Sequence, residues 1–167
     1  MGQLMRAHLV GAALVAAVMF ALPHGSAVAE SAAPNARDVA TVQDCLKSQR
    51  GRDLKGERCI GVVVDPCLKR ARSTADQNAC ADRELRVWDD ILNETYRRLG
   101  QHLDDDQKAK ARDMQRAWIL SRDKTCAFYW DYFQGTMASP MSAYCNVRET
   151  ARRAMFLIFF MDEAEGR

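Results

Sequence analysis

Catalysis by an activated serine or cysteine requires a base beside the nucleophile, and this chain has few histidines for that role. Of its three histidines, His8 and His24 lie in an N-terminal segment that we expect to be removed, so the mature chain would keep only His102. That residue lies in a polar segment at a predicted helix end, where a solvated side chain is the simpler interpretation. The same count argues against a metal site built from several imidazoles. The sequence also lacks a glycine-rich phosphate loop and a Gly-x-Ser-x-Gly motif.

The cysteines are the second group that could do chemistry: Cys45, Cys59, Cys67, Cys80, Cys126 and Cys145. An even number in an exported chain indicates disulfides, which would leave no thiolate for catalysis. The alternative is a metal site, but there is no Cys-x-x-Cys pair, and even Cys59 and Cys67 are eight positions apart. We therefore predict three disulfides, no bound metal and no cofactor. Six cysteines allow about 15 pairings, and sequence alone does not choose among them.

Carboxylates and an Arg-Asp pair are the remaining polar candidates. Hydrolysis of a glycosidic bond needs two carboxylates across a cleft, and acids spaced over helix surfaces do not indicate one. Arg122 lies one helical turn after Trp118, on the inward side of its helix, where it would need a partner such as Asp89. Asn93 and Tyr96 are placed to hydrogen-bond between helices. We interpret these residues as a structural network rather than a site, and predict no catalytic residue and no enzyme activity.

A run of aromatic residues, Phe128 to Phe133, precedes a loop that contains glycine and proline. Aromatic residues at nearly consecutive positions cannot all face one core, so some of them should lie near the surface. Tyr and Trp are enriched in contacts between proteins. The alternative is that the rings only cover the nearby cysteines. The candidate partner-contact residues are Tyr129, Trp130, Tyr132, Phe133, Gln134, Thr136 and Ser139.

The N-terminus has the composition of an export signal. Arg6 precedes an apolar run from Leu9 to Leu22, and Ala27-Val28-Ala29 matches an A-x-A cleavage site. The run is shorter than the roughly 20 residues that cross a bilayer. We therefore predict a signal peptide at 1–29 rather than a transmembrane anchor, and a periplasmic or secreted product without a membrane anchor. Removing Arg6 from 24 basic and 22 acidic residues leaves 23 against 22, a net charge of +1, which does not indicate a nucleic-acid partner.

Hydrophobic periodicity predicts an all-α fold: a small disulfide-stabilised bundle of three main helices plus a short N-terminal helical segment. In the first main helix, residues of one face recur every three or four positions, namely Leu85, Trp88, Leu92, Thr95, Leu99 and Leu103. The second should run from Gln107 to about Phe133, and the third from about Met141 to Met161. The inward side chains of the second should be Ala111, Met114, Trp118, Ser121 or Arg122, Thr125 and Tyr129.

Local signals predict where the helices begin. Thr74-x-x-Gln77 resembles a capping box, and Asp65-Pro66 is typical of the start of a short helix. The acids from Asp104 to Asp106 are better explained as a helix cap than as a cation site, because no calcium-loop pattern follows. The valine-rich run after Cys59 is too isolated to build a sheet, so we expect an extended connector.

Four ordered motifs run through these elements. Cys67 is followed by Gln77-x-x-Cys80, and then by Asp89-x-x-Leu92-Asn93-x-x-Tyr96-x-x-Leu99. Gln115-x-x-Trp118-x-x-x-Arg122-Asp123-x-x-Cys126 is the third, and Cys145 with Thr150-x-x-Arg153 is the last. In this order they resemble the LprI-like family of exported bacterial proteins, named after a mycobacterial lysozyme inhibitor, over about Cys67 to Leu157.

The resemblance implies a disulfide between Cys67 and Cys80 and another between Cys126 and Cys145. The two cysteines outside the matched region, Cys45 and Cys59, are then left for the third. The domain organisation expected is a signal peptide at 1–29, a leader and Cys45/Cys59 segment at 30–66, and an LprI-like helical domain at 67–161.

The resemblance also implies a protein partner, a lysozyme, and inhibition of that enzyme. Filling a lysozyme cleft usually takes a projecting loop, and Gln134 to Ser142 is the best candidate. Many lysozymes are basic, so a net charge near zero counts against strong steering, although Asp104 to Asp106 could supply a local acidic patch. The alternative is a structural or interaction module of the cell envelope with no inhibitory activity.

Overall fold

Five α-helices make up the part of the chain that the computed structural model describes, residues 33–49 and 56–166. They are α1 (Ala36–Gln49), α2 (Val64–Leu68), α3 (Thr74–Leu99), α4 (Asp105–Phe133) and α5 (Ala138–Glu165). Short 3-10 turns follow α1, at Glu57–Cys59, and α4, at Gly135–Met137. No strand occurs in these ranges, so the all-α class is confirmed. The predicted signal peptide at 1–29, residues 30–32 of the leader, and residues 50–55 lie outside the described residues.

The core lies between α3 and α5, which run in the same direction. Asn78 of α3 hydrogen-bonds Ser139 near the start of α5, and Arg98 pairs with Glu165 near its end. Between these points the helices bury mainly apolar side chains, among them Val87, Trp88, Leu92, Leu99, Val147, Ala151, Ala154, Leu157 and Met161. The predicted stripe of α3 is confirmed as far as Leu99: four of its members are buried and Leu85 is half-buried. Leu103, predicted to belong to the same helix, is half-buried but lies beyond its end.

A buried carboxylate on α3 holds the segment that leads into α2. The two oxygens of Glu84 accept hydrogen bonds from the backbone N–H groups of Gly61, Val63 and Val64, at 2.7, 2.8 and 2.9 Å. The indole N–H of Trp88 donates a fourth bond at 3.0 Å. Glu84 is fully buried, so these four donors replace the water that the carboxylate loses on folding.

The valine-rich run is consequently a turn, and the predicted extended connector is wrong. Extended backbone points successive N–H groups to opposite sides, whereas here three of them converge on one side chain. Gly61, at φ 97°, takes the left-handed conformation that the turn requires. The short helix begins at Val64, so Asp65 lies in its first turn instead of capping it.

The three disulfides have the pairing that the resemblance implied: Cys45–Cys59, Cys67–Cys80 and Cys126–Cys145. The first joins α1 to the 3-10 turn, the second joins α2 to α3, and the third joins α4 to α5. Each contributes about 2–4 kcal/mol by restricting the unfolded chain. An ion pair adds to the attachment of α1, because buried Asp38 accepts hydrogen bonds from Arg83 at 2.7 and 2.9 Å.

Two helix starts carry complete capping boxes. Ser73 caps α3 and Asp76 returns the bond, so the box lies one position before the predicted Thr74 and Gln77. Asp104 caps α4 together with Gln107, which confirms the cap predicted for the acidic run.

Helix α4 packs mainly on α5, and this narrow contact leaves most of it exposed. Cys126 is its only buried residue, and the half-buried inward side chains are Ala111, Met114, Trp118, Arg122 and Tyr129. Thr125, predicted to face inward, is exposed because one neighbouring helix covers only a narrow stripe.

Helix α5 begins three residues before the predicted Met141, and its Pro140 lies in the first turn, where a missing N–H is tolerated. No described helix is long and apolar enough to cross a membrane.

Candidate functional site

The candidate site is the end of the helical hairpin formed by α4 and α5, which we call the aromatic end (residues 128–137). Helix α4 stops at Phe133, after which Gln134 has φ 47° and Gly135 has φ 70°. A positive φ is uncommon for a residue with a side chain and costs glycine nothing, so this pair makes a sharp reversal. One 3-10 turn then leads directly into α5. The last turns of α4 are therefore joined to α5 by a short, tight connection.

Two contacts between α4 and α5 hold the aromatic end in place. The Cys126–Cys145 disulfide joins two buried residues that lie about two helical turns from the reversal, one on each helix. Closer to the end, the hydroxyl of Tyr129 accepts a hydrogen bond from Arg148 Nη2 at 3.0 Å. This bond raises the pKa of Arg148 above its ordinary value. A surface fixed in this way loses little conformational entropy when a partner binds it.

The apolar side chains of the aromatic end are largely exposed. The exposed fractions are 61% for Phe128, 53% for Trp130, 70% for Tyr132 and 54% for Met137. The rings also contact one another: those of Tyr132 and Phe133 are nearly perpendicular, at 81°, with 5.1 Å between centroids. Exposed aromatic residues grouped on a rigid element are typical of a surface that contacts another protein.

All seven candidate contact residues lie at or beside the aromatic end, but they differ in exposure. Five are exposed: Trp130, Tyr132, Phe133, Gln134 and Thr136. Tyr129 and Ser139 are half-buried, and their hydroxyls are used inside the fold, by Arg148 and Asn78. The sequence interpretation missed Phe128 and Met137, although Phe128 precedes Tyr132 by one helical turn and their rings are 6.2 Å apart. Contact with a partner stays a prediction for all of them.

An apolar cavity of about 390 Å³ adjoins the aromatic end. Met137 belongs to both, and the other lining residues come from α2, α3 and the start of α5, including Leu68, Ala81 and Met141. Tyr144 lines it as well, and burial, followed by the nearby charges of Asp65 and Glu84, raises the pKa of its hydroxyl.

Some motif residues pair with a neighbour on their own helix, and others lie between α4 and α5. Asp89 and Asn93 are exposed and hydrogen-bond each other along α3, at 3.1 Å, so Asn93 does not bridge helices. Arg122 pairs with Asp123 beside it, at 2.8 Å, and not with Asp89. The adjacent carboxylate reaches the guanidinium without crossing between helices, which explains why the expected pair does not form.

The second group of motif residues lies between α4 and α5. Arg153 Nε donates a hydrogen bond to Gln115 Oε1 at 2.9 Å, and both Arg122 and Arg153 lie over the ring of Trp118. The buried Thr150 is one turn before Arg153. In the described ranges, no group of three or more His, Cys, Asp or Glu could hold a metal ion.

Comparison with known proteins matches most of this helical region. A family model described as lysozyme inhibitor LprI matches residues 67–157, more than half of the chain. The match confirms the resemblance expected from the motifs, and it includes α3, α4, the aromatic end and the disulfides of α2–α3 and α4–α5. An uncharacterised protein of Rhizobium meliloti (strain 1021) is 32% identical over 116 residues, which cover 61% of this chain and 84% of that protein. No solved structure matches the chain.

Proposed function

The chain belongs to the LprI family, and from that premise we propose that it binds and inhibits a lysozyme through the aromatic end. The observation that supports this surface is the exposure of Phe128, Trp130 and Tyr132, each more than half exposed, on a hairpin that a disulfide closes. Burying such rings against a partner is favourable, and Tyr and Trp are the residues that most often dominate a protein interface.

Inhibition of this kind requires no catalytic group in the inhibitor. Enzymes that hydrolyse glycosidic bonds place two carboxylates on either side of the bond, in a cleft that receives the sugar chain. A rigid hairpin with a narrow end fits such a cleft and keeps the sugar chain out. The aromatic end suits this role because a disulfide and the bond between Tyr129 and Arg148 fix the hairpin that carries it.

The positions of the charges along α4 argue against the expectation that Asp104 to Asp106 supply an acidic patch for binding a lysozyme. Asp104 to Asp106 lie at the opposite end of this 29-residue helix, about 40 Å from the aromatic end. Asp104 caps the helix, while Asp105 and Asp106 pair with Lys108 and Lys110. The acidic run is therefore not a patch beside the contact surface. Asp131 is the one charged residue in 128–137, and its sign suits a basic lysozyme.

We also propose that the protein acts in the periplasm or outside the cell. All six cysteines are paired in the structure, and such disulfides form and persist in oxidising compartments. A lysozyme that attacks the bacterial cell wall would meet its inhibitor in that same compartment.

The experiment is a titration of the purified oxidised protein into a cell-wall lysis assay with several lysozyme types. We expect saturable inhibition of at least one type. Replacing both Trp130 and Tyr132 by alanine should weaken inhibition by about 30-fold or more, since the loss of one dominant contact costs about 2 kcal/mol. Leu120→Ala is the matched control, because Leu120 is 57% exposed on the same helix but outside the aromatic end.

The outcomes separate the alternatives. If the unaltered protein inhibits no lysozyme type at micromolar excess, the inhibitor proposal is wrong. If it inhibits and the double variant inhibits equally well, the surface has been assigned incorrectly. Binding to a lysozyme without any loss of lytic activity would favour an interaction module of the envelope.

A further inference from the structure

Three charged side chains are buried in the described residues: Asp38, Glu84 and Arg153. The first two have partners that compensate their charge, and Arg153 does not. Glu84 is fully buried and accepts four hydrogen bonds. Asp38, 3% exposed, is paired with Arg83. Both follow the rule that a buried charge needs a counter-charge or a full set of hydrogen bonds.

Arg153 of α5 does not follow that rule. It is 8% exposed, and no carboxylate of the described residues lies within ion-pair distance of it. Its Nε donates to the neutral amide oxygen of Gln115, while Nη2 is buried without a hydrogen-bond partner among the described residues. Burial lowers the pKa of Arg153 below its ordinary value, in the direction expected for an uncompensated cation. Thr150 Oγ1, one turn earlier on the same helix, is also buried without a partner in the described part of the chain.

Two aromatic rings lie beside this guanidinium. Its central carbon is 5.6 Å from the ring centroid of Trp118 and 5.0 Å from that of Phe156. The nearby Arg122 also lies over Trp118, at 4.9 Å, but it has its own carboxylate, Asp123. With rings beside it, the guanidinium has only its edge left for hydrogen bonds, and part of that edge is unused.

We infer that Arg153 forms a recognition site for a carboxylate attached to an apolar group. A carboxylate has the planar pair of acceptors that matches the edge of a guanidinium, and its charge would compensate the buried cation. The rings of Trp118 and Phe156 would contact the apolar part of the ligand. Arg153 Nη2 is buried, so the proposed binding requires a neighbouring side chain to move, and the 42% exposed Phe156 is the one that we expect to rotate. This site is separate from the aromatic end and does not depend on the lysozyme proposal.

The test uses two probes in the oxidised full chain: benzoate, and a short amidated peptide with one glutamate between leucines. Binding is followed by NMR through the indole N–H signals of the three tryptophans, with that of Trp118 identified by a Trp118→Phe variant. We expect a saturable shift of the Trp118 signal, with those of Trp88 and Trp130 unmoved. A response to benzoate alone identifies a small carboxylate as the ligand, and a response to the peptide identifies an acidic side chain of a protein.

Two variants make the result specific to Arg153. Arg153→Lys keeps the charge but loses the forked edge, and should bind at least about tenfold more weakly, as expected when a charged hydrogen bond is lost. Gln115→Glu supplies an internal carboxylate to Nε, and should both raise the melting temperature and abolish the shift. Arg152→Lys is the matched control, since Arg152 is the neighbouring arginine and already pairs with Glu57 and Glu149; its binding should be unchanged.

The inference is wrong if neither probe moves the Trp118 signal, or if sodium chloride at the same ionic strength moves it equally. It is also wrong if Arg153→Lys or Gln115→Glu, shown to be folded by circular dichroism, binds the probes as the unaltered protein does.

Discussion

Replacing the buried Glu84 by glutamine should destabilise the fold far more than its small change in shape suggests. One carboxylate oxygen accepts bonds from Gly61 N and Trp88 Nε1, and the other accepts bonds from Val63 N and Val64 N. Glutamine must place its NH₂ group at one of these positions, where it faces two donors. Two hydrogen bonds to a charged acceptor are lost whichever way the amide is turned.

The expected cost follows from that count. A hydrogen bond to a charged group contributes about 1.5–3 kcal/mol, so two of them amount to about 3–6 kcal/mol. This is a large share of the roughly 5–15 kcal/mol that stabilises a typical domain. The matched control is Glu94→Gln on the same helix, where an exposed glutamate pairs with Arg97 and the pair contributes at most about 1 kcal/mol.

The assay is urea unfolding followed by far-UV circular dichroism, with all disulfides oxidised. Amide hydrogen exchange at Gly61, Val63 and Val64 reports the same loss locally, and these amides should exchange much faster in the variant. A free energy of unfolding within 1 kcal/mol of that of Glu94→Gln, with exchange at the three amides unchanged, would refute the reasoning.

Three further predictions concern the hairpin and the helix starts. Replacing Cys126 and Cys145 by serine should lower the free energy of unfolding by about 3 kcal/mol and weaken any lysozyme inhibition, measured by urea unfolding and the lysis assay; equal inhibition by this double variant would contradict the proposal that the disulfide keeps the surface rigid. Asp104→Ala should cost about 1 kcal/mol through loss of the α4 cap, whereas the exposed Asp113→Ala on the same helix should be nearly neutral in the same unfolding assay. Hydrogen bonds from the backbone of Arg72 and the side chain of Ser73 hold the pKa of Asp76 below its ordinary value, so its carboxylate stabilises the fold at neutral pH and this contribution is lost as the pH falls through the lowered pKa. Asp76→Asn should therefore be less stable than the unaltered protein at pH 7 and equal to it at a pH well below that pKa; a difference independent of pH would exclude this explanation.

Much of the fold could be predicted because helical periodicity is recorded in the side chains themselves. Trp88, Leu92 and Leu99 recur on one face of α3, and they form the buried stripe that was expected. The cap of α4 was recognisable for a similar reason, since an acid before a polar first turn is placed to accept hydrogen bonds from the free N–H groups there. The disulfide pairing followed from the family resemblance, and spacing alone would not have chosen it.

The turn around Glu84 could not be predicted, because the partners of this carboxylate are backbone N–H groups, which leave no trace in the residue types. The sequence predicts the capping box of α3 one residue late because Ser73 and Thr74 are both capable caps, followed three positions later by Asp76 and Gln77. Both readings satisfy the pattern, and only the backbone conformation of Ser73 distinguishes them.

In the candidate sites too, the residue types indicated some features, whereas others depended on contacts that only the structure shows. The composition of 128–133 indicated exposed aromatic residues, and the structure shows which of them are exposed. For Arg122 the sequence indicated an inward guanidinium but not its partner, since Asp123 and Asp89 both carry the required charge. Arg153 was recognised as part of a motif, whereas its uncompensated burial depends on how closely α4 approaches α5 and is visible only in three dimensions.

The most direct test of the central claim is a hydrogen-exchange footprint of the protein with and without a lysozyme that it inhibits. We expect slower exchange confined to the aromatic end, residues 128–137, with no change at the opposite end of α4 around Asp104. Protection centred elsewhere, or no protection at the aromatic end in a complex that inhibits, would contradict it.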